Sequence, residues 1–136
     1  MMTVAELQAF MAREYGQAAA DFSVERADEA GLCLRLKVAE RHLRPGGTVS
    51  GTAIFSLADV AMYLAILARI GPKALTVTTS GSVDFMRKPA AGADLLAEAR
   101  VLKLGRVLAV GDVLIHSEGQ SEPAARASLT FSIPPR

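Results

Sequence analysis

Several residue types that mark particular classes of protein are scarce in this chain. It has one cysteine, two histidines, no tryptophan and a formal net charge of +1, and aromatic residues make up only 5%. The single cysteine, Cys33, cannot form an internal disulfide, which suits a reducing cytoplasm. So few aromatic residues and so little net charge argue against a nucleic-acid-binding surface. Two histidines and one cysteine without a tight cluster also argue against a metal site, so we predict no metal ligand.

The chain also lacks an apolar run long enough to cross a membrane. The longest run, residues 53–68, is interrupted by Asp59 and falls short of the roughly 20 residues that a membrane span needs. The N-terminus has no basic start followed by an apolar core, so we expect no signal peptide. The sequence therefore predicts a cytoplasmic protein with no membrane partner, folded as a single domain over residues 1–136.

Hydrophobic periodicity predicts the elements of the N-terminal half. Residues 3–15 carry apolar side chains at helical spacing, and Thr3 with Glu6 has the pattern of a capping box. Residues 21–28 and 32–38 alternate apolar and polar side chains around a glycine turn, which predicts a hairpin.

A long apolar helix is predicted to follow the loop at residues 40–50 and to stop at Gly71-Pro72. Four strands are then predicted, at residues 74–85, 93–104, 107–116 and 124–133. One apolar helix among several strands packs most simply inside a sheet that curls around it. The fold class predicted is therefore α+β: an antiparallel sheet of about six strands curled around one long buried helix, with a short N-terminal helix. Its exposed edges favour a homo-oligomer.

Asp59 is the only acidic residue in the apolar helix. A helix that is apolar on all sides is buried, and a lone carboxylate on it costs several kcal/mol unless it is hydrogen-bonded, protonated or solvated in a cleft. An acid kept in such a place is a candidate catalytic group. The alternative is an aspartate that faces a subunit boundary or a water channel and has no catalytic role.

Three segments carry a resemblance to a known family: His-Leu-Arg-Pro-Gly-Gly-Thr-Val-Ser-Gly-Thr-Ala-Ile-Phe-Ser-Leu-Ala-Asp-Val-Ala at residues 42–61, Val-Asp-Phe-Met-Arg-Lys-Pro at 83–89, and Gly-Arg-Val-Leu-Ala-Val at 105–110. In this order and at these separations they resemble the hot-dog-fold acyl-CoA thioesterases of the phenylacetate-degradation (PaaI-like) type. The resemblance covers about residues 20–133.

The resemblance implies hydrolysis of a small or medium acyl thioester, with an aromatic acyl group among the alternatives, to the free acid and CoA. It implies dimers or tetramers with the active site between subunits, and no cofactor, since CoA is part of the substrate. Asp59 would act as general base or nucleophile, and the backbone N–H of Gly51 would bind the carbonyl oxygen. Such donors are available because the first N–H groups of a helix have no intrahelical acceptor.

The chain departs from the family pattern at two positions. It has Ser50-Gly51-Thr52 where His-Gly-Gly is usual, and Arg44 stands near the position of a carboxamide. Arg44 suits an acidic acyl group or a CoA phosphate; it is equally suited to an ion pair with Asp59 across the subunit boundary, or to solvent.

Other polar residues are candidates for the site. Ser56 and Tyr63 share the helix face of Asp59, and hydroxyls on the strand at residues 78–82 are suited to orienting water. The predicted substrate-binding residues are Arg44, Ser50, Ser56, Tyr63, Thr79 and Ser80. The basic residues at strand ends suit the phosphates of CoA, and the predicted CoA-binding residues are Arg87, Lys88, Lys103 and Arg106. For each the alternative is a structural or solvated side chain.

Two other functions fit the same resemblance. A non-catalytic acyl-CoA-binding protein would explain the departures at Ser50 and Arg44. A hydratase or dehydratase on the same fold would use His42, which resembles the loop histidine of such dehydratases. Asp112 and His116 share a strand face, but they lack the helix context that an Asp-His dehydratase pair normally has. No Gly-x-Ser-x-Gly motif occurs, which argues against a serine hydrolase.

Overall fold

The structure is a computed structural model that describes residues 1–135. Two α-helices and six strands follow one another in the predicted order, with short 3₁₀ turns at Gly16–Asp21 and Glu40–His42. The elements are α1 (Val4–Tyr15), β1 (Phe22–Asp28), β2 (Gly31–Leu36), α2 (Gly51–Ile70), β3 (Val77–Phe85), β4 (Leu95–Leu104), β5 (Leu108–Ser117) and β6 (Ala125–Ser132).

The six strands form one antiparallel sheet in the order β1-β2-β4-β5-β6-β3. Helix α2 packs across one face of this sheet and contacts β2, β4, β5, β6 and β3. The predicted fold class, about six strands curled around one long helix with a short helix before them, is confirmed.

Helix α2 is buried over most of its length, above all from Val60 to Ala68. It is 20 residues long, so its length and hydropathy match those of a membrane span. The helix is longer than the apolar run at residues 53–68 because it also includes Gly51 and Thr52 before the run and Arg69 and Ile70 after it. However, 67% of its most apolar window is buried inside the domain, and burial against the sheet accounts for that apolar character.

Helix α1 forms as its sequence predicts. Thr3 Oγ1 accepts from the N–H of Glu6, and Glu6 Oε1 accepts from the N–H of Thr3, which completes the capping box. Its buried side chains are Leu7, Phe10 and Met11, each of which stabilises the fold by about 1.5–3 kcal/mol. This packing holds the end of α1 against the middle of α2, where Phe10 lies beside Tyr63.

Strand β3 is an uncovered edge of the sheet. Nearly all its residues are exposed, and apolar side chains lie along and beside it. They are Phe55, Leu75, Val77, Phe85 and Met86. A long edge with apolar side chains is typical of a surface that pairs with another chain.

Candidate active site

Asp59 lies in the middle of α2 and is partly buried. The Thr78 hydroxyl donates a hydrogen bond of 2.6 Å to Asp59 Oδ1. The carboxylate therefore has both a hydrogen-bond donor and access to solvent, two of the three conditions under which an acid can remain on an apolar helix.

A bulge in β3 directs Thr78 toward α2. The pairing with β6 passes from Thr78 opposite Phe131 to Ser80 opposite Thr130, so Thr79 is the extra residue. The hydroxyl of Thr79 donates to the carbonyl of Thr130 at 3.3 Å. Ser80 lies on the sheet face that points away from α2. In this protomer it is Thr78, and neither Thr79 nor Ser80, that reaches Asp59.

Gly81 leaves room for a ring rather than for a ligand. A Cβ at this position would lie 2.9 Å from Leu129 Cδ2 and 3.2 Å from Phe55 Cε1. Both contacts are too close for an ordinary side chain, so the glycine allows Phe55 to pack against β3. The bulge of β3 lies two residues earlier, at Thr79.

The start of α2 presents backbone donors to solvent. Ser50 is the N-cap of α2. Its Oγ accepts a hydrogen bond from the N–H of Ala53 at 3.2 Å, and its carbonyl oxygen accepts one from the N–H of Ile54. Within residues 1–135 the N–H groups of Gly51 and Thr52 have no hydrogen-bond partner. They point out of the positive end of the helix dipole, and so can bind a developing oxyanion.

Gly51 and Asp59 are eight residues apart in α2, which is about 12 Å along the axis at 1.5 Å per residue. A carbonyl carbon and its oxygen are about 1.2 Å apart. One protomer therefore cannot present both its Gly51 N–H and its Asp59 carboxylate to the same carbonyl group.

A cavity of about 430 Å³ opens beside Asp59. Tyr63 lines it, as do Tyr15, Thr78 and Phe131. Tyr63 is 8% exposed, and its hydroxyl donates to the carbonyl of Ala74 at 2.9 Å rather than to Asp59. Its ring centroid lies 6.2 Å from that of Tyr15 and 6.2 Å from that of Phe131. Burial raises the pKa of Tyr63 and Tyr15, so both phenols stay protonated at neutral pH.

Ser56 and Arg44 lie away from this cavity. Ser56 is exposed one turn before Asp59, and no hydrogen bond joins the two side chains. Arg44 is exposed in the loop before α2, where its backbone N–H donates to the carbonyl of Thr48 at 2.8 Å. Arg44 thus lies toward the Gly51 end of the helix, and within one protomer it makes no ion pair with Asp59.

The predicted CoA-binding residues form two groups. Arg87 follows β3 near the start of α2; it donates to the carbonyl of Pro123 and pairs with Glu122 at 3.3 Å, while Lys88 is exposed. Arg106, with Lys103 exposed close by in sequence, lies at the other end of α2. There it lines a cavity of about 800 Å³ with Arg69 and Lys73. A 20-residue helix separates the two groups by about 30 Å.

Both ring nitrogens of His42 are occupied by structural contacts. Nδ1 accepts from the N–H of Ala39 at 2.9 Å, and Nε2 therefore carries the proton it donates to Asp21 at 3.1 Å. The carbonyl of His42 accepts from the N–H of Ser50 at 2.8 Å. His42 thus stabilises the loop that precedes α2. Because its ring nitrogens are engaged in these contacts, the structure gives no support to a dehydratase that uses His42.

The remaining candidates, Asp112, His116 and Cys33, have structural roles in the sheet. Asp112 faces Arg100, whose Nη2 lies 3.5 Å from its carboxylate, and His116 lies opposite Leu96 in the sheet. Burial raises the pKa of Cys33 to about 11. Its thiol is therefore protonated at neutral pH and has the character of a strand residue rather than a nucleophile.

Comparison with known proteins places this geometry in a family. The model of the thioesterase superfamily matches residues 46–124, a range that includes Gly51, Asp59 and Thr78. A Pseudomonas aeruginosa protein provisionally named as an esterase is 32% identical over 103 residues, which cover 76% of this chain and 75% of that protein.

Solved structures agree with the sequence matches. A protein from a Silicibacter species, provisionally named as a thioesterase, superimposes with a TM-score of 0.92 and 50% identity, over 99% of this chain and 94% of that one. The phenylacetic acid degradation protein PaaI from Thermus thermophilus, solved as a point mutant, gives a TM-score of 0.74 and 29% identity, over 93% and 99% of the two chains. The resemblance to PaaI-like hot-dog thioesterases is confirmed.

Proposed function

This chain belongs to the thioesterase superfamily, and from that premise we propose that it is an acyl-CoA thioesterase. It hydrolyses a small or medium acyl thioester to the free acid and CoA. The observation that carries the proposal is the Asp59 carboxylate, held by Thr78 at 2.6 Å and open to a cavity of about 430 Å³.

The active site is proposed to form between two copies of the chain. Gly81 is the midpoint of β3, so a two-fold axis there pairs the exposed edges antiparallel, with Val77 opposite Phe85 of the partner subunit. Thr78 lies against Asp59, and Phe85 lies against Gly51. The same axis therefore brings Gly51 of the partner subunit toward Asp59 and removes the separation of about 12 Å within one protomer.

In this site the thioester carbonyl oxygen accepts from the N–H of Gly51 of the partner subunit. Asp59 removes a proton from a water molecule that attacks the carbonyl carbon, or attacks that carbon itself and is then released by water. Either route gives a tetrahedral intermediate whose negative oxygen the helix start stabilises. Collapse breaks the C–S bond, and the CoA thiolate takes up a proton. Thr78 keeps one carboxylate oxygen in place, so the other is directed at the substrate.

The two-fold arrangement also explains why the basic residues lie in two groups. It places the Lys88 end of the partner subunit beside the Arg106 end of the first protomer, on the side of the dimer where Asp59 lies. CoA phosphates are proposed to bind between them, because charge-assisted hydrogen bonds to phosphate are strong polar contacts. Arg44 of the partner subunit would lie on the same side.

The test is thiol release from a panel of aliphatic and aromatic acyl-CoAs by the wild type, by Asp59→Asn and by the control Asp112→Asn. We expect turnover by the wild type and the control, and its loss in Asp59→Asn. Absence of turnover by the wild type, with acyl-CoA binding retained, would contradict the proposal and favour a non-catalytic acyl-CoA-binding protein.

A further inference from the structure

The end of α1 forms part of the cavity beside Asp59. Helix α1 is anchored by its buried side chains and ends at Tyr15, after which Gly16 adopts a φ of 58°. The ring of Tyr15 lies 6.2 Å from that of Tyr63, and the ring of Phe10 lies 6.1 Å from it. Tyr15 is therefore held by an aromatic cluster, in a fixed position at the wall of the cavity.

The cavity carries negative charge only. Of the nine residues that line it, Glu14 and Asp59 are acidic and none is basic. Within residues 1–135 neither carboxylate takes part in an ion pair. The nearest cation in sequence, Arg13, lies over the ring of Phe10 at 5.6 Å.

The charge of Glu14 reaches the interior of the cavity although its side chain is exposed. Burial raises the pKa of Tyr63, and the negative charge of Glu14 adds to that shift. For Tyr15 the negative charge of Asp59 adds to the effect of burial. An acyl group in this cavity is thus exposed to two carboxylates and two neutral phenols.

We propose that Glu14 and Tyr15 are specificity-determining residues, which restrict the acyl group to uncharged chains of limited length. Glu14 repels acyl groups that end in a carboxylate, and Tyr15 closes the cavity against longer chains. This inference rests on the proposed function in placing the acyl group beside Asp59. It adds a selection against dicarboxylic acyl groups, which Glu14 in the last turn of α1 produces.

Two thioether probes test the charge selection by calorimetric binding, without any need for turnover. They are S-butyl-CoA and S-(3-carboxypropyl)-CoA, which differ only in a terminal carboxylate. The wild type is expected to bind the butyl probe more tightly. Glu14→Gln is expected to reduce that preference by about tenfold at low salt, the scale of one charge–charge interaction at a partly solvated site. Glu29→Gln, the same change at an exposed turn outside this cavity, should leave the preference unchanged.

The length restriction is tested with S-alkyl-CoA probes of increasing chain length. Tyr15→Ala is expected to move the tightest binding to longer chains, while Tyr15→Phe should keep the wild-type optimum. The inference is overturned if the butyl preference is the same in Glu14→Gln and in the wild type, or if the optimum does not move in Tyr15→Ala. Loss of hydrolysis alone would count against the proposed function, whereas failure of the wild type to bind either probe would overturn both.

Discussion

Thr78 donates a 2.6 Å hydrogen bond to Asp59, and the bulge at Thr79 makes this contact possible. Side chains alternate between the two faces of a strand. Without the extra residue this alternation would continue unbroken, and the Thr78 side chain would lie on the face of the sheet that points away from α2. The catalytic acid of the proposed mechanism and its hydrogen-bond donor therefore depend on an irregularity in an edge strand.

We expect Thr78→Val to lower kcat/KM by roughly ten- to a hundredfold, since a hydrogen bond to a charged group contributes roughly 1.5–3 kcal/mol. The variant removes the donor while keeping the shape of the side chain. Thr78→Ser should restore most of the activity. Steady-state kinetics on an acyl-CoA substrate measures this, with Thr79→Val as the matched control; equal losses at both positions would show that disturbance of the strand, not the hydrogen bond, is responsible.

Acidification is expected to weaken the loop before α2 through Asp21. Hydrogen bonding to Arg41, aided by that to His42, lowers the pKa of Asp21 below its ordinary value. A carboxylate whose pKa is lower in the folded state stabilises the fold above its unfolded pKa of about 3.9, and this contribution is lost as the pH falls through the folded value.

Urea unfolding of the wild type and of Asp21→Asn at pH 7 and at pH 3 measures this contribution. The wild type should be the more stable at pH 7, and the difference should shrink at pH 3. A difference that is constant between the two pH values would mean that Asp21 acts through packing rather than through its charge.

Thr76 carries a buried hydroxyl without a partner. The residue is 3% exposed, and within residues 1–135 its Oγ1 makes no hydrogen bond. Thr76→Val keeps the shape and removes the unsatisfied oxygen, so we expect a gain of about 1 kcal/mol in the free energy of unfolding. The same change at Thr3, whose hydroxyl caps α1, should instead cost about 1 kcal/mol. Thermal unfolding compares the two; a loss of stability in Thr76→Val would contradict the prediction.

The helices could be read from the sequence because their signals are local. The capping box of Thr3 and Glu6 and the stop at Gly71 lie within a few residues of the ends that they define. The isolated acid, Asp59, was equally visible, since its surroundings in α2 are apolar in the sequence itself.

The rest of the candidate site depends on contacts between distant segments. Alternation in β3 does not reveal the bulge, so the sequence did not separate Thr78 from Thr79 and Ser80. Tyr15 lies 44 residues before Asp59 and reaches the cavity only because α1 packs on the core. For the backbone N–H groups that lack a partner at the start of α2, the only signal in the sequence was the glycine at the first helical position, Gly51.

The central claim is that each active site uses Asp59 of one protomer and Gly51 of the other. Gly51→Pro deletes the donor N–H at a helix position that tolerates proline, and Ser50, with φ −70° and ψ 152°, already has the conformation that precedes proline. Gly51→Ala, whose Cβ would lie 3.2 Å from the exposed ring of Phe85, keeps the N–H and serves as the control. Gly51→Pro and Asp59→Asn should each be inactive and folded.

The decisive measurement is thiol release by a mixture of these two inactive variants that has been unfolded and refolded together. Its activity is compared with that of each variant refolded alone. A mixed dimer contains one site with both substitutions and one with neither, so the mixture should regain about one quarter of wild-type activity, since half of the dimers are mixed. If both groups acted within one protomer, every site would keep one substitution. A mixture that forms mixed dimers but stays as inactive as its components would contradict the account.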